Sequence, residues 1–209
     1  MEKLKERWGI TSNIQIIMIL ITYQKAFSFT HNDLHTNNIM FNYTEKKYLN
    51  YCYNGKYWRV PTYGKLYKII DYGRSIYTFK GEEMISDCFF KTGDAAGQYN
   101  FSIFRKKRKP ELKPNFGFDL CRLACSLFDY FIQDINNKNT NPIAELINEW
   151  VKDDDGKNLL YKSNGEERYP DFKLYKMITR KSHKHTPQSQ LQKPIFKQFI
   201  SSKRKIGKF

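Results

Sequence analysis

The most informative segment of the sequence is Phe29-Thr30-His31-Asn32-Asp33-Leu34-His35-Thr36-Asn37-Asn38-Ile39-Met40. It follows an apolar run, Ile14 to Ile21, that predicts a helix, and it leads into a short apolar run that predicts a strand. A second stretch, Lys68-Ile69-Ile70-Asp71-Tyr72-Gly73, ends a β-branched strand on an aspartate and a glycine. We expect the polar side chains of the two stretches to converge at one cleft.

Three of these side chains have the chemistry that phosphoryl transfer requires. The reaction needs a carboxylate to orient the attacking hydroxyl, and oxygen ligands for the magnesium ions that bridge the phosphates. Asp33 suits the first task, and Asn38 and Asp71 suit the second. Asp-rich turns are common, so the specific signal is the joint pattern, with its Asp-to-Asn spacing, the helix before it and the strand end after it.

This joint pattern resembles the protein kinase superfamily, whose signature is H-R-D-L-x-x-x-N followed by D-F-G. The chain carries it as HNDLHTNNIM and IDYG, and it resembles the kinase-like proteins of large DNA viruses. Asn32 replaces the family arginine that pairs with a phosphorylated activation loop, so that form of control is not implied. His35 stands where many Ser/Thr kinases carry lysine. The resulting pattern, His-x-Asp-Leu-His-x-x-Asn, is similar to the loop of small-molecule kinases such as the aminoglycoside and choline phosphotransferases, so the substrate class stays open.

The resemblance implies a role for each of six residues: catalytic Asp33, His31 and His35, and cofactor-binding Asn38, Asp71 and Gly73. Asp33 would orient the substrate hydroxyl, and His31 would brace the Asp-Tyr-Gly segment. His35 would lie near the transferred phosphate, either protonated or as a neutral donor. The implied cofactors are ATP and Mg²⁺, with Asn38 and Asp71 as the metal ligands.

The implied fold class is α+β, namely a protein kinase-like large lobe that is mainly helical with a small β-hairpin element at the cleft. The lobe would span residues 1–200, followed by a basic tail at 201–209. Its expected parts are a catalytic loop at 29–40, an inserted hairpin at 42–65, a metal motif at 71–73, an activation-segment region at 74–114 and a central helix at about 118–132. Asp119, near the start of the central helix, is expected to bond back to the catalytic loop. Thr11-Ser12-Asn13 predicts the N-terminal cap of the first helix.

The small lobe of a kinase cannot be placed before His31. The residues before His31 contain one glycine, Gly9, so they hold no G-x-G-x-x-G loop. The expectation is an ATP-dependent, Ser/Thr-directed phosphotransferase that is truncated, with an N-terminal lobe that is absent or vestigial, and weak or inactive alone. Two alternatives stay open, a pseudokinase-type binding scaffold and a fragment of a small-molecule kinase.

The composition of the chain says less about its binding partners than the motifs say about its chemistry. The formal net charge is +15, and the run Arg105 to Lys109 could bind an acidic partner or nucleic acid, although most such runs are solvated loops. The other expected partner is a protein substrate, or a chain that supplies the missing small lobe.

The expected location is the cytoplasm, or the host cytoplasm or virion for a viral protein, with the nucleus as an alternative. The four cysteines show no metal-like spacing, and two of them, Cys121 and Cys125, fall on one helix face. The apolar run Ile14 to Ile21 is too short for a membrane span, which needs about 20 apolar residues.

Overall fold

A computed structural model describes residues 2–101, 110–132 and 141–202, and for residues 2–6 it describes the backbone alone. The helices are α1 (Glu2–Phe27), α2 (Phe118–Phe131), α3 (Pro142–Trp150), α4 (Phe172–Lys181), α5 (Pro187–Gln190) and α6 (Pro194–Lys197). The strands are β1 (Ile39–Tyr43), β2 (Tyr48–Tyr53), β3 (Lys56–Pro61), β4 (Lys65–Ile69), β5 (Ile76–Phe79), β6 (Glu82–Ile85) and β7 (Ile200–Ser201).

Helix α1 is the buried axis of the main core. Its apolar run is almost fully buried, with Ile14, Ile17 and Leu20 completely inaccessible, so packing on several sides stabilises it. The predicted cap at residues 11–13 is wrong, because the helix already begins at Glu2. The Thr11 hydroxyl instead donates to the carbonyl of Arg7, at 3.0 Å, within the helix.

In the part of the chain that the structure describes, three small antiparallel sheets contact this helix, with strand orders β1-β4, β2-β3-β7 and β5-β6. The first sheet positions the site, because Ile39 lies opposite Ile69 and the Ile70 N–H donates to the Asn38 carbonyl at 3.0 Å. The chain therefore brings the end of the catalytic loop beside the strand end that precedes Asp71.

The segment expected to form an inserted hairpin contains β2 and β3, which turn at Asn54 and Gly55. Both turn residues have positive φ, 48° and 72°, as a tight hairpin turn requires. Trp58 and Val60 of β3 point into the main core. Ser201 was assigned from the sequence to the basic tail, but it lies in β7 and pairs with Tyr57 of β3.

Helix α2 completes the main core, and its cysteines Cys121 and Cys125 are buried free thiols among apolar neighbours. The region after Gly73 has its own small core, which contains Ile76, Phe89, Ala95, Tyr99 and Phe101. The basic run at residues 105–109 lies outside the described residues. Among the described residues, the helices lack the combination of length and apolar character needed to cross a bilayer.

Candidate active site

Asp119, the first acidic residue of α2, holds the backbone of the loop at residues 29–40. Its two carboxylate oxygens accept the backbone N–H groups of His31 and Asn32, each at 2.9 Å. Asp119 is completely buried, and this burial raises its pKa, while the two N–H bonds favour the charged form. The predicted contact between Asp119 and the loop backbone is confirmed, and it fixes the position of the residues around Asp33.

The His31 ring joins the two predicted stretches. Its Nε2 atom lies 2.9 Å from the carbonyl oxygen of Ile70, and its Nδ1 atom accepts the Asp33 N–H at 3.3 Å. Because a carbonyl oxygen can only accept, Nε2 donates to Ile70, while Nδ1 accepts the Asp33 N–H. One fully buried side chain thus connects the backbone of Asp33 to the residue just before Asp71.

Asn38 is held within the same loop through its amide nitrogen. Its amide nitrogen donates to the Asp33 carbonyl at 2.9 Å and lies 3.3 Å from Nε2 of His35. These bonds use the nitrogen and leave the amide oxygen as the group suited to a cation. The Asn38 side chain is almost fully buried, so its orientation is set by the loop itself.

Asp71 and Gly73 form the other wall. Asp71 is exposed and has a φ of 62°, a conformation that aspartate tolerates better than most residues. Its Oδ1 atom accepts the Gly73 N–H at 3.3 Å, and a Cβ atom at Gly73 would lie only 3.3 Å from that oxygen. A glycine two residues after Asp71 therefore gives the carboxylate room.

His35 lies at the edge of the site, with Nε2 4.0 Å from Oδ1 of Asp33. Burial lowers the pKa of His35, and the nearby Arg122 acts in the same direction, while the charge of Asp33 opposes them. The Asn38 amide also donates to Nε2, which is then the unprotonated nitrogen. Of the two forms expected from the sequence, this geometry favours the neutral ring, with its proton on Nδ1.

Asn32, which replaces the family arginine, has a structural role. It is fully buried with a φ of 63°, and its amide nitrogen donates to the Arg74 carbonyl at 2.9 Å. Its amide oxygen accepts the hydroxyl of Tyr99. Arg74 in turn forms an ion pair with Asp94 at 2.8 Å. Neutral hydrogen bonds therefore attach the segment after Gly73 to the loop, and the Arg74–Asp94 ion pair lies within that segment.

Sequence reasoning missed two groups that contact the Asp33 carboxylate. The Tyr175 hydroxyl donates to Oδ1 at 2.6 Å, and Arg74 Nη1 lies 3.8 Å from Oδ2. Tyr175 lies on the apolar face of α4 and comes 142 residues after Asp33, so local pattern gave no sign of the contact. Arg74 directly follows Gly73, and its place in the motif was the only available signal.

The donor set suits magnesium better than a transition metal. Within the described part of the chain, no group of three His, Cys, Asp or Glu side chains could hold a metal ion. One amide oxygen and one carboxylate remain, from Asn38 and Asp71, and Mg²⁺ is commonly held by one or two protein oxygens together with substrate phosphates and water. Asn38 and Asp71 are therefore the side chains at this site that could hold Mg²⁺.

Comparison with known proteins supports a protein kinase-like relationship that covers about half of this chain. The chain is 37% identical to the serine/threonine-protein kinase haspin of Mus musculus over 101 residues, which is 46% of this chain and 13% of the mouse protein. It is 36% identical to haspin of Bos taurus over 101 residues, 46% of this chain and 12% of that protein.

The chain is also similar to an insect protein. The haspin homolog of Drosophila melanogaster is 31% identical over 110 residues, which is 49% of this chain and 18% of that protein. The chain thus spans less than a fifth of the length of these relatives. No family model matches the chain.

Proposed function

We propose that this chain is the catalytic lobe of a protein kinase-like phosphotransferase, which transfers a phosphoryl group from ATP to a Ser or Thr hydroxyl of a protein substrate. The fold is proposed to be a kinase-like large lobe. The observation that carries the proposal is the His31 bridge, which connects the backbone of Asp33 to the residue before Asp71 in one rigid unit.

Each residue has one task under this proposal. Asp33 orients the acceptor hydroxyl and receives its proton, while Asn38 and Asp71 hold magnesium, which neutralises charge on the phosphates when bound. His31 keeps the Asp33 loop and the Asp71 segment in a fixed position relative to each other. His35 donates from Nδ1 toward the transferred group as a neutral ring. The elements that cover the phosphates in kinases would come from another segment or another chain.

A pseudokinase-type scaffold is the second candidate, and one observation favours it. Strand β1 presents Met40, Phe41 and Tyr43 to solvent, with Met40 55% and Tyr43 84% exposed. Exposed apolar side chains on one strand favour a partner surface. Asp33, Asn38 and Asp71 argue for catalysis, because a scaffold has no chemical need for all three.

Metal-dependent nucleotide binding tests the proposal. We expect Asp71→Asn to weaken ATP binding in the presence of Mg²⁺ by about 10-fold or more, because the substitution removes a charged metal ligand and asparagine still tolerates the positive φ. In EDTA, wild type and variant should bind ATP equally weakly. Calorimetric titration measures both conditions.

The matched control is Asp155→Asn, the same chemical change at an exposed turn residue after α3. This variant should bind Mg²⁺-ATP like the wild type. Equal binding by Asp71→Asn and the wild type would contradict the metal role of Asp71.

A further inference from the structure

We infer that Tyr175 is a positioning residue for Asp33: its hydroxyl fixes the carboxylate in the orientation that meets the acceptor hydroxyl. The inference rests on the proposed function of Asp33. It adds a residue from α4, far from the catalytic loop in sequence, to the site.

The contact is short and directional. The Tyr175 hydroxyl donates to Oδ1 of Asp33 at 2.6 Å, a distance typical of a hydrogen bond to an ionised carboxylate. Rotation of the carboxylate would break this bond between the Tyr175 hydroxyl and Oδ1. The bond therefore also fixes the direction in which Oδ2 points. Among the described residues, Oδ2 makes a longer contact, 3.8 Å to Nη1 of Arg74, and the Asp33 side chain stays 20% exposed, which leaves room for an acceptor hydroxyl.

The Tyr175 ring is itself held on several sides. It stacks on Phe172 with ring centroids 5.3 Å apart and an interplanar angle of 23°. The guanidinium of Arg122 lies 4.9 Å from the ring centroid, and that of Arg74 lies 5.5 Å from it. Cations over an aromatic face are attracted to it, so the ring is constrained by stacking and by charge.

The backbone of Tyr175 is equally constrained. Its carbonyl accepts the Thr179 hydroxyl at 2.9 Å, and Ile178 and Thr179 are completely buried in the same helix. A side chain on an anchored helix cannot leave as a mobile loop can. This placement suits a permanent support of Asp33 and not a removable plug over it.

The test compares two tyrosines that both donate to an aspartate. Tyr175→Phe keeps the ring and removes only the hydroxyl, and Tyr161→Phe removes the hydroxyl that donates to Asp129 at 2.9 Å on the protein surface. We expect Tyr175→Phe to lower the turnover of radiolabelled ATP with dephosphorylated casein by about 10-fold to 100-fold, the effect of losing a hydrogen bond to a charged group.

The acceptor KM should change less than about twofold in Tyr175→Phe, because the hydroxyl does not contact the acceptor. The unfolding temperature should shift no more than in Tyr161→Phe, whose turnover should equal that of the wild type. Wild-type turnover by Tyr175→Phe, or an equal loss in both variants, would overturn the inference.

A second readout does not need turnover. In protein labelled with ¹³C at the tyrosine Cζ atom, the Tyr175 resonance is assigned by its loss in Tyr175→Phe. Asp33→Asn exchanges the charged acceptor for an amide, so this resonance should move while that of Tyr161 stays in place. An unmoved Tyr175 resonance would overturn the inference. Failure of the wild type to bind ATP in a Mg²⁺-dependent way would instead refute the proposed function, with the resonance still deciding the contact.

Discussion

Asp33→Asn is expected to lower phosphoryl transfer by about 10²-fold to 10⁴-fold, the usual contribution of a positioned general base. The amide retains the shape of the side chain and can still accept the Tyr175 hydroxyl, but it cannot receive the proton of the acceptor. Because Asp33 is not proposed as a metal ligand, Mg²⁺-dependent ATP binding should be nearly unchanged.

A radiolabelled transfer assay measures this effect, whatever the absolute wild-type rate. Asp155→Asn serves again as the control for the same chemical change at a distant turn. Turnover by Asp33→Asn within about threefold of the wild type would contradict the role of Asp33 as general base.

A polypeptide of these 209 residues alone is expected to transfer phosphate several orders of magnitude more slowly than the ~1–100 s⁻¹ typical of protein kinases. In kinases, a glycine-rich loop, a lysine and a glutamate act on the phosphates as one positioned electrostatic site, and none of them can be placed before His31. Intact Asp33, Asn38 and Asp71 cannot replace that contribution.

The same polypeptide should also associate with a partner or with itself. A cleft of about 430 Å³ lies between α1 and β4, lined by apolar and aromatic side chains that include Met18, Tyr23, Ile69 and Tyr72. Light scattering across a concentration series detects the association, and the transfer assay measures the rate. A monomer that turns over at ~1 s⁻¹ or faster would establish a self-sufficient kinase instead.

The sequence predicted the parts of the site that depend on short-range pattern. The spacing from His31 to Asn38 and the strand end at Asp71 lie within single elements, so their chemistry could be inferred before the geometry was known. The contact of Asp119 with the loop came from the resemblance, because its 88-residue separation from His31 has no local signature.

The features that the sequence did not predict depend on tertiary contacts. Tyr175 lies on the apolar face of α4, 142 residues after Asp33, and nothing local in the sequence showed that its hydroxyl would contact Asp33. The start of α1 was placed too late, because Thr11 and Asn13 are good capping residues in isolation but bond back into the preceding turn here. Burial of both side chains against the core outweighed their local preference.

The most direct test of one shared site is the NMR spectrum of the chain with Mn²⁺-ATP replacing Mg²⁺-ATP, because the paramagnetic ion broadens signals only from residues near it. We expect the amide signals of Asp33, Asn38 and Asp71 to broaden, and this broadening to be lost in Asp71→Asn. Broadening that instead centres on the acidic turn Asp153 to Asp155, or that persists unchanged in Asp71→Asn, would contradict a catalytic metal site formed by Asn38 and Asp71.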